Sequence, residues 1–309
     1  MTGWLIVNKF LNTDKFRELN ELFLKAAEKK NIDLVIHTNA DFVMRVDCDE
    51  VVSTYFEEEP EFVIFYDKDI ELAKALERKG LRLFNYSDAI DACDSKTKTA
   101  LYVSEYNNAV REFSQDELVI KMPKTFKVPF TYENIGISED DDFGFLDLVE
   151  SEISYPVIFK ECYSSFGMGV HLAANRIELI KLICAHGNKE CIIQEYIGSD
   201  TPTSKDVRLQ MVGEECVAAM MRSNDSDFRA NLTNGGKMEL YNPTEDDILL
   251  AVSVMRSIGL DFAGIDIMFD KYGKPVFCEA NSNAHFRNLY DLTGINAAEY
   301  MLEYILGEI

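Results

Sequence analysis

Short apolar runs alternate with amphipathic stretches over the first 94 residues. The apolar runs lie at 4–7, 32–36, 61–66 and 81–84. Residues 14–30 instead carry apolar side chains three or four positions apart, a spacing that places them on one face of a helix, and residues 69–79 are predicted to form a charged helix. Gly80 follows the second stretch and ends it. This alternation of strands and helices predicts a small parallel sheet.

The pattern changes after residue 87, first to a helix and then to a linker rich in Lys and Pro, KMPKTFKVPF. We place a domain boundary near Asp94, ahead of the linker. Beyond residue 155 strands dominate. The sequence predicts them at 155–161, 191–197, 207–212, 216–221, 262–270 and 275–281, with helices at 176–185, 244–258 and 295–306. This mixture predicts an α+β architecture for the rest of the chain.

The chain of 309 residues is long enough for two or three packed units, and 47% of its residues are hydrophobic. Its 54 acidic and 31 basic residues give a net charge of −23. Such a charge repels nucleic acid and anionic membranes, so neither is an expected partner, and an anionic substrate would need locally placed cations. A general role of the acidic residues in solubility remains open.

Seven cysteines form no CxxC pair and leave an odd number, which favours reduced thiols. The N terminus has no signal-peptide core, and no apolar run approaches the roughly 20 residues of a membrane-spanning helix. A cytoplasmic location is therefore expected.

Polar residues interrupt two apolar strands joined by a short turn in the segment FAGIDIMFDKYGKPVFCEANSN. Glu279 and Asn281 are two positions apart and share a face of an extended chain, while Asp266 can lie beside them on the neighbouring strand. Three oxygen-bearing side chains on one patch suit a hard cation, Mg²⁺ or Mn²⁺, better than zinc. Alternatively, these residues only end strands and cap turns.

A lysine stands at the end of the apolar strand in VIFKECYSSFGMGV. Lys160 would be costly to bury there without an anion, and a phosphate would serve. Gly167 and Gly169 in the following turn let backbone N–H groups approach phosphate oxygens closely. An ordinary hairpin is the alternative.

The segment DFRANLTNGGK is too polar for a core element. It contains Arg229 and Asn231, which could clamp a phosphate or a carboxylate. A solvated connector is the alternative. The strand CIIQEYI ends in Gln194 and Glu195, which could equally mark a sheet edge.

Taken in order, Lys96, Lys160 with its glycine turn, QEYI, DVR, DFRANLTNGG, FAGIDIMFD and CEANSN resemble the ATP-grasp superfamily, most closely its RimK-like carboxylate–amine ligases. The resemblance covers the chain from about residue 93 to the C terminus. It implies an α/β fold of the α+β ATP-grasp type. An N-terminal Rossmann-like, parallel-sheet domain (1–94) would precede α+β subdomains at 95–192 and 193–309 that hold ATP between them.

The resemblance also implies roles for single residues. Lys96 and Lys160 would bind ATP phosphates. Gln194, Glu195, Tyr196 and Ile197 would line the adenine site, Asp206 and Arg208 would belong to the nucleotide site, Arg229 and Asn231 would meet phosphates or the reacting carboxylate, and Asp266, Glu279 and Asn281 would hold magnesium ions.

The sequence departs from its relatives at two places that bear on the substrates. D-alanine–D-alanine ligases carry an Arg where this chain has Gly264, which favours the RimK-like branch. After Asn281 the chain reads SNAHFRN instead of the Pro-Gly loop usual in both relatives. We therefore expect Arg287 to bind a substrate carboxylate and Phe286 to form an apolar wall. The alternative is that Phe286 is core and Arg287 pairs with a surface acid.

The resemblance implies an ATP-dependent ligase that forms an amide through an acyl phosphate and releases ADP and phosphate. ATP and Mg²⁺, or Mn²⁺, would be its cofactors. The carboxylate and the amine would be carried by small molecules, amino acids or peptides, and their identity stays open, as does a homo-oligomer. A non-catalytic nucleotide-binding or scaffold protein is the alternative. A hydride-transferring oxidoreductase is disfavoured because no GxGxxG follows the first strand.

Overall fold

A computed structural model describes most of the chain. It covers residues 1–48, 50–53, 55, 59–114, 118–131, 137–164, 167–198, 204–225, 227–229 and 236–309. Within these residues the strands form three larger sheets and one two-stranded ribbon. No helix in these ranges is both long and apolar enough to cross a membrane.

The N-terminal unit is built on a parallel sheet, as the sequence predicts. Its elements are β1 (Thr2–Val7), α1 (Asp14–Lys29), β2 (Asp33–Thr38), β3 (Val43–Arg45), β4 (Glu50–Val52), β5 (Phe62–Tyr66), α2 (Ile70–Arg78), β6 (Leu83–Phe84) and α3 (Ser87–Asp94). The strand order is β2-β1-β5-β6, and each neighbouring pair is parallel. Because both faces are covered, β1 and β5 are almost entirely buried.

The central unit is built on an antiparallel sheet. This part of the chain contains α4 (Lys96–Phe113), β7 (Thr125–Lys127), α5 (Phe145–Glu152), β8 (Val157–Glu161), β9 (Val170–Ala173), α6 (Arg176–His186) and β10 (Cys191–Glu195). The strand order is β7-β10-β8-β9. Leu146 of α5 and Ile183 of α6 pack with Phe159 and Ile193 of the sheet. The turn between β8 and β9 is the predicted glycine turn.

The C-terminal unit is a five-stranded antiparallel sheet. Its elements are β11 (Ser204–Val212), β12 (Glu215–Asn224), β13 (Lys237–Leu240), α7 (Glu245–Ile258), β14 (Phe262–Phe269), β15 (Pro275–Asn281), α8 (Arg287–Thr293) and α9 (Ala297–Glu308). The strand order is β13-β12-β11-β14-β15. At the start of α7, Thr244 and Asp247 form a capping box.

Helix α4 contacts both sheets, but its buried apolar residues belong to the core of the C-terminal one. Val103 of α4 shares a core with Val254 of α7 and Phe277 of β15. The described core of the central sheet instead draws its residues from 126–193. Core packing thus places 96–113 with the C-terminal unit, although the sequence predicts a central subdomain that begins at residue 95.

The N-terminal and C-terminal units are joined by a shared core and by one buried amide. Phe23 of α1 stacks edge to face on Phe286, with 5.5 Å between ring centroids. The fully buried Asn85 donates from Nδ2 to the carbonyl of Phe262 at 2.8 Å and to that of Ser282 at 3.3 Å. Its Oδ1 accepts from the backbone N–H groups of Asp261 at 2.7 Å and Phe262 at 3.1 Å.

Asn85→Ala should lower the free energy of unfolding by about 2–4 kcal/mol, because backbone groups around Phe262 would stay buried without partners. The change can be measured by urea unfolding followed through the fluorescence of Trp4, the single tryptophan. Asn108→Ala, at an exposed position on α4, should change stability by less than about 0.5 kcal/mol. Equal unfolding midpoints for the two variants would contradict the role of Asn85.

Candidate functional site

A cavity of about 520 Å³ lies between the central and C-terminal sheets. This volume is typical of a small-molecule site. The cavity brings together many of the residues predicted from sequence. They are Lys96, Lys160, Gly167, Gln194, Glu195, Tyr196, Ile197, Asp206, Arg229, Asp266 and Glu279. These residues are spread along the chain between positions 96 and 279, and the tertiary fold brings them to one cavity.

Two lysines reach the cavity beside the central sheet, Lys160 from that sheet and Lys96 from the start of α4. Lys160, at the end of β8, donates from Nζ to Oε1 of Gln194 at 2.7 Å. Lys96 begins α4, and its Nζ donates to the carbonyl of Ser164 in the glycine turn at 2.8 Å. Burial lowers the pKa of Lys96; Glu279 opposes this shift, and the charge of Lys160 adds to it. Two neighbouring cations in a partly buried wall favour an anionic ligand.

Carboxylates stand on the facing wall. Asp266 of β14 and Glu279 of β15 are direct partners across the antiparallel ladder, as their spacing predicts. The register shifts by one residue just beyond this pair, so that both Cys278 and Glu279 line the cavity. Glu279 Oε1 lies 3.9 Å from Lys96 Nζ, which links the two walls electrostatically.

Two arginines neutralise the carboxylate of Asp266. Arg208 binds both of its oxygens at 2.6 Å, and Arg222 approaches Oδ2 at 2.9 Å. Arg222 also donates from Nε to Oδ1 of Asp206 at 2.6 Å. Burial acts against ionisation of Asp266, but the two arginines outweigh it and hold the pKa of Asp266 below its usual range. For Asp206 burial prevails, and its pKa is raised.

The oxygen donors on this wall fit a hard divalent cation. Asp266 and Glu279 supply adjacent carboxylates, and carboxylate oxygens are the ligands that such ions prefer. Asn281 lies opposite Gly264 at the end of β15, and its Nδ2 is buried with no hydrogen-bond partner among the described residues. Those residues contain no group of three or more His, Cys, Asp or Glu side chains placed to hold a metal ion. The predicted set of two carboxylates and one amide therefore stays a prediction.

The glycine turn lies over the same cavity. Gly167 and Gly169 have φ angles of 73° and 69°, in the left-handed region that other residues avoid. Arg229 donates from Nη1 to the carbonyl of Gly167 at 3.2 Å, so a residue of the C-terminal unit supports the turn. The carboxylate of Asp227 holds the Arg229 guanidinium in place. Asn231 lies outside the described residues.

Some predicted residues lie elsewhere. Arg208, Gly169 and Asn281 are not part of the cavity lining. Arg287 lies outside it as well and forms ion pairs with Asp291 at 2.9 Å and Glu18 at 3.3 Å. The expected carboxylate contact of Arg287 thus has no support from its position.

The segment after Asn281 is held against the N-terminal unit. Phe286 is fully buried in the core instead of forming a substrate wall. His285 Nε2 lies 2.9 Å from the carbonyl of Lys15. Burial lowers the pKa of His285 to about 4, so the imidazole is neutral at pH 7 and Nε2 carries its proton.

A Cβ at Gly264 would lie 2.6 Å from that of Ala284, so no larger residue fits there in this arrangement.

Arg222 and the apolar part of the lining were not predicted. Arg222 ends an apolar stretch of β12, the same signal that identified Lys160. Ile158, Val170, Met268 and Phe269 line the cavity as well. Their apolar character is shared with many core residues, so the sequence offered no means of singling them out.

Comparisons with known proteins agree with this architecture. The pattern that defines the RimK-like ATP-grasp domain matches residues 116–305. An uncharacterised protein of Mycoplasma pneumoniae, the MG012 homolog, is 30% identical over 274 residues, which are 89% of this chain and 88% of that protein. The ribosomal protein bS6–L-glutamate ligase of Escherichia fergusonii is 32% identical over 174 residues, 55% of this chain and 56% of that protein.

A solved structure shows the same fold. The RimK domain ATP-grasp protein of Sphaerobacter thermophilus superposes with a TM-score of 0.66 at 16% identity, over 99% of this chain and all of that one. The family pattern spans more than half of the sequence and includes most of the cavity-lining residues. This chain therefore belongs to the RimK-like ATP-grasp family of carboxylate–amine ligases.

Proposed function

We propose that this protein uses ATP and Mg²⁺ to join a carboxylate to an amine through an acyl phosphate. The observation that carries the proposal is that lysines and carboxylates line the same cavity. Lys96, Lys160, Asp266 and Glu279 all line one cavity, and its volume suits a nucleotide. Cations for a triphosphate and oxygen ligands for its metal are thus brought together.

The described residues would share the work as follows. Lys160, Lys96 and Arg222 would hold phosphate oxygens, because fixed cations in a partly buried site stabilise the charge that develops during phosphoryl transfer. Met268 and Ile158 belong to the apolar lining that would receive the base. Asp266, Glu279 and Asn281 would hold Mg²⁺. When bound, the metal supplies charge that neutralises phosphate oxygens.

The reaction needs no nucleophilic side chain. A substrate carboxylate oxygen would attack the γ-phosphorus and break its bond to ADP, which leaves an acyl phosphate. The amine nitrogen would then attack the acyl carbon, phosphate would leave, and the nitrogen would lose a proton. The glycine turn, supported by Arg229, can exclude water that would otherwise hydrolyse the acyl phosphate.

The similarity to a bS6–L-glutamate ligase supports glutamate as the first amino-acid substrate to test. That similarity spans 55% of this chain. Because the similarity covers only this part of the chain, peptides with a C-terminal carboxylate should be tested as substrates beside free amino acids.

The acyl phosphate can be tested with a carboxylate labelled with ¹⁸O. The purified protein is incubated with MgATP and a panel of amino acids and peptides, glutamate included. Attack by the carboxylate should transfer one ¹⁸O atom into inorganic phosphate for each amide formed, as measured by mass spectrometry. Amide formation without label in phosphate would contradict the acyl phosphate. Nucleotide binding without product from any pair would favour the non-catalytic alternative.

Glu279→Gln should leave the binding of metal-free ATP nearly unchanged and abolish turnover at saturating Mg²⁺, because a carboxylate ligand becomes a weaker neutral one. Steady-state ADP release measures turnover. Glu214→Gln removes an exposed carboxylate that pairs with Arg256 and serves as the control, with normal turnover expected. Normal turnover of Glu279→Gln would exclude Glu279 as a required metal ligand.

Lys160→Met should weaken ATP binding about 10- to 150-fold, because a charge-assisted hydrogen bond contributes about 1.5–3 kcal/mol. Titration calorimetry with a non-hydrolysable ATP analogue measures the affinity. Lys25→Met, on the exposed face of α1, should leave it unchanged. If Lys160→Met binds as the unmodified protein does, Lys160 makes no phosphate contact.

A further inference from the structure

Gln194 takes part in a chain of side-chain hydrogen bonds that ends at Lys160, the candidate phosphate-binding residue. Its Oε1 accepts from Lys160 Nζ at 2.7 Å, and its Nε2 donates to Oγ1 of Thr125 at 2.9 Å. Thr125 Oγ1 donates in turn to the carbonyl of Pro123 at 2.9 Å. Gln194 is only 8% exposed, so water competes little for its amide.

The two ends of this chain determine the orientation of the amide. The Pro123 carbonyl can only accept, so it takes the single hydrogen of the Thr125 hydroxyl. Towards Gln194 the hydroxyl can then only accept, and the NH₂ group must face it. The lysine ammonium can only donate, which requires the opposite end of the amide to be the carbonyl oxygen. All three hydrogen bonds are consistent with a single orientation of the Gln194 amide.

Strand register explains why these side chains meet. Strand β10 lies between β7 and β8, with Gln194 opposite Thr125 on one side. On the other side Lys160 lies opposite Ile192, two residues before Gln194. Residues 192 and 194 share a face of the strand, so Lys160 and Gln194 are diagonal neighbours on that face.

We propose that Gln194 is a positioning residue that holds the Lys160 ammonium towards the triphosphate, with Thr125 keeping the amide in its required orientation. The inference rests on the proposed nucleotide role of Lys160. Because the amide is neutral, it directs the ammonium without cancelling its charge, which stays available for phosphate. This role differs from the adenine contact that the family resemblance implies for Gln194.

Nucleotide binding by single and double variants distinguishes the positioning of Lys160 from a direct adenine contact. Gln194→Met should weaken the binding of a non-hydrolysable ATP analogue with Mg²⁺ about 3- to 20-fold in titration calorimetry, because Lys160 keeps its charge but loses its anchor. In a Lys160→Met background, the same substitution should cause almost no further loss. A direct adenine contact would instead give losses that multiply, together with a changed preference for ATP over ITP.

Charge and orientation can be tested separately. Gln194→Glu keeps an acceptor but adds a negative charge beside Lys160, so it should weaken binding more than Gln194→Met does. Thr125→Val removes the hydroxyl that orients the amide and should weaken binding about 2- to 5-fold. Thr125→Ser keeps the hydroxyl and should restore nearly normal binding.

Folding is checked by thermal unfolding of each variant. If Gln194→Met does not fold, the comparison of Thr125→Val with Thr125→Ser decides, since both keep Gln194. Unchanged affinity in Thr125→Val and Gln194→Met, or losses that multiply with Lys160→Met, would overturn the positioning role. A protein that binds ATP but forms no amide would overturn the ligase proposal and not this one. A protein that binds no nucleotide would overturn both.

Discussion

The arrangement of the cavity depends on how the buried carboxylate of Asp266 is neutralised. An ionised carboxylate inside a sheet is costly unless it is paired and hydrogen-bonded. Arg208 and Arg222 provide this pairing from the two strands that precede β14 in the sheet order. The register places Arg208 opposite Asp266 and Arg222 opposite Asp206. A shift of β11 by one residue would turn these charges to opposite faces, so pairing and register depend on each other.

The two walls of the cavity carry different chemistry and are held together by long side chains. The C-terminal sheet supplies the carboxylates, while the lysines reach the cavity beside the central sheet. Lys96 begins a helix that packs on the C-terminal core, yet its ammonium binds the turn of the central unit at Ser164. Arg229 reaches the same turn at Gly167 from the C-terminal unit. The glycine turn is thus supported by cations from the side that would hold the metal.

Local charge and overall charge differ in this protein. The chain carries a net charge of −23, yet lysines and arginines gather around the cavity. An acidic surface opposes long-range attraction of a nucleotide, so binding would depend on contacts at short range, where screening by solvent is weakest. Fixed cations such as Lys160, oriented by a neutral amide, suit that requirement.

Much of this architecture follows from local pattern. Apolar runs and helical spacing predicted the parallel N-terminal sheet and four of the five described strands of the C-terminal sheet, because burial of one face imposes a period on the sequence. Asp266 and Glu279 were recognisable because ionisable residues are rare in apolar strands. Lys160 was recognisable for the same reason.

Other features depend on contacts between distant segments, which leave no periodic trace. Cys278 lines the cavity because the pairing of β14 with β15 shifts by one residue beside it. Gln194 faces Lys160 and Thr125 only because three strands align. Arg287 was expected at the substrate because it follows the predicted metal ligands in sequence, but α8 directs it towards Glu18 of α1. Helix α4 likewise lies beside the central strands in sequence and packs on the C-terminal core, because burial of its apolar face depends on the surface that the folded chain offers it.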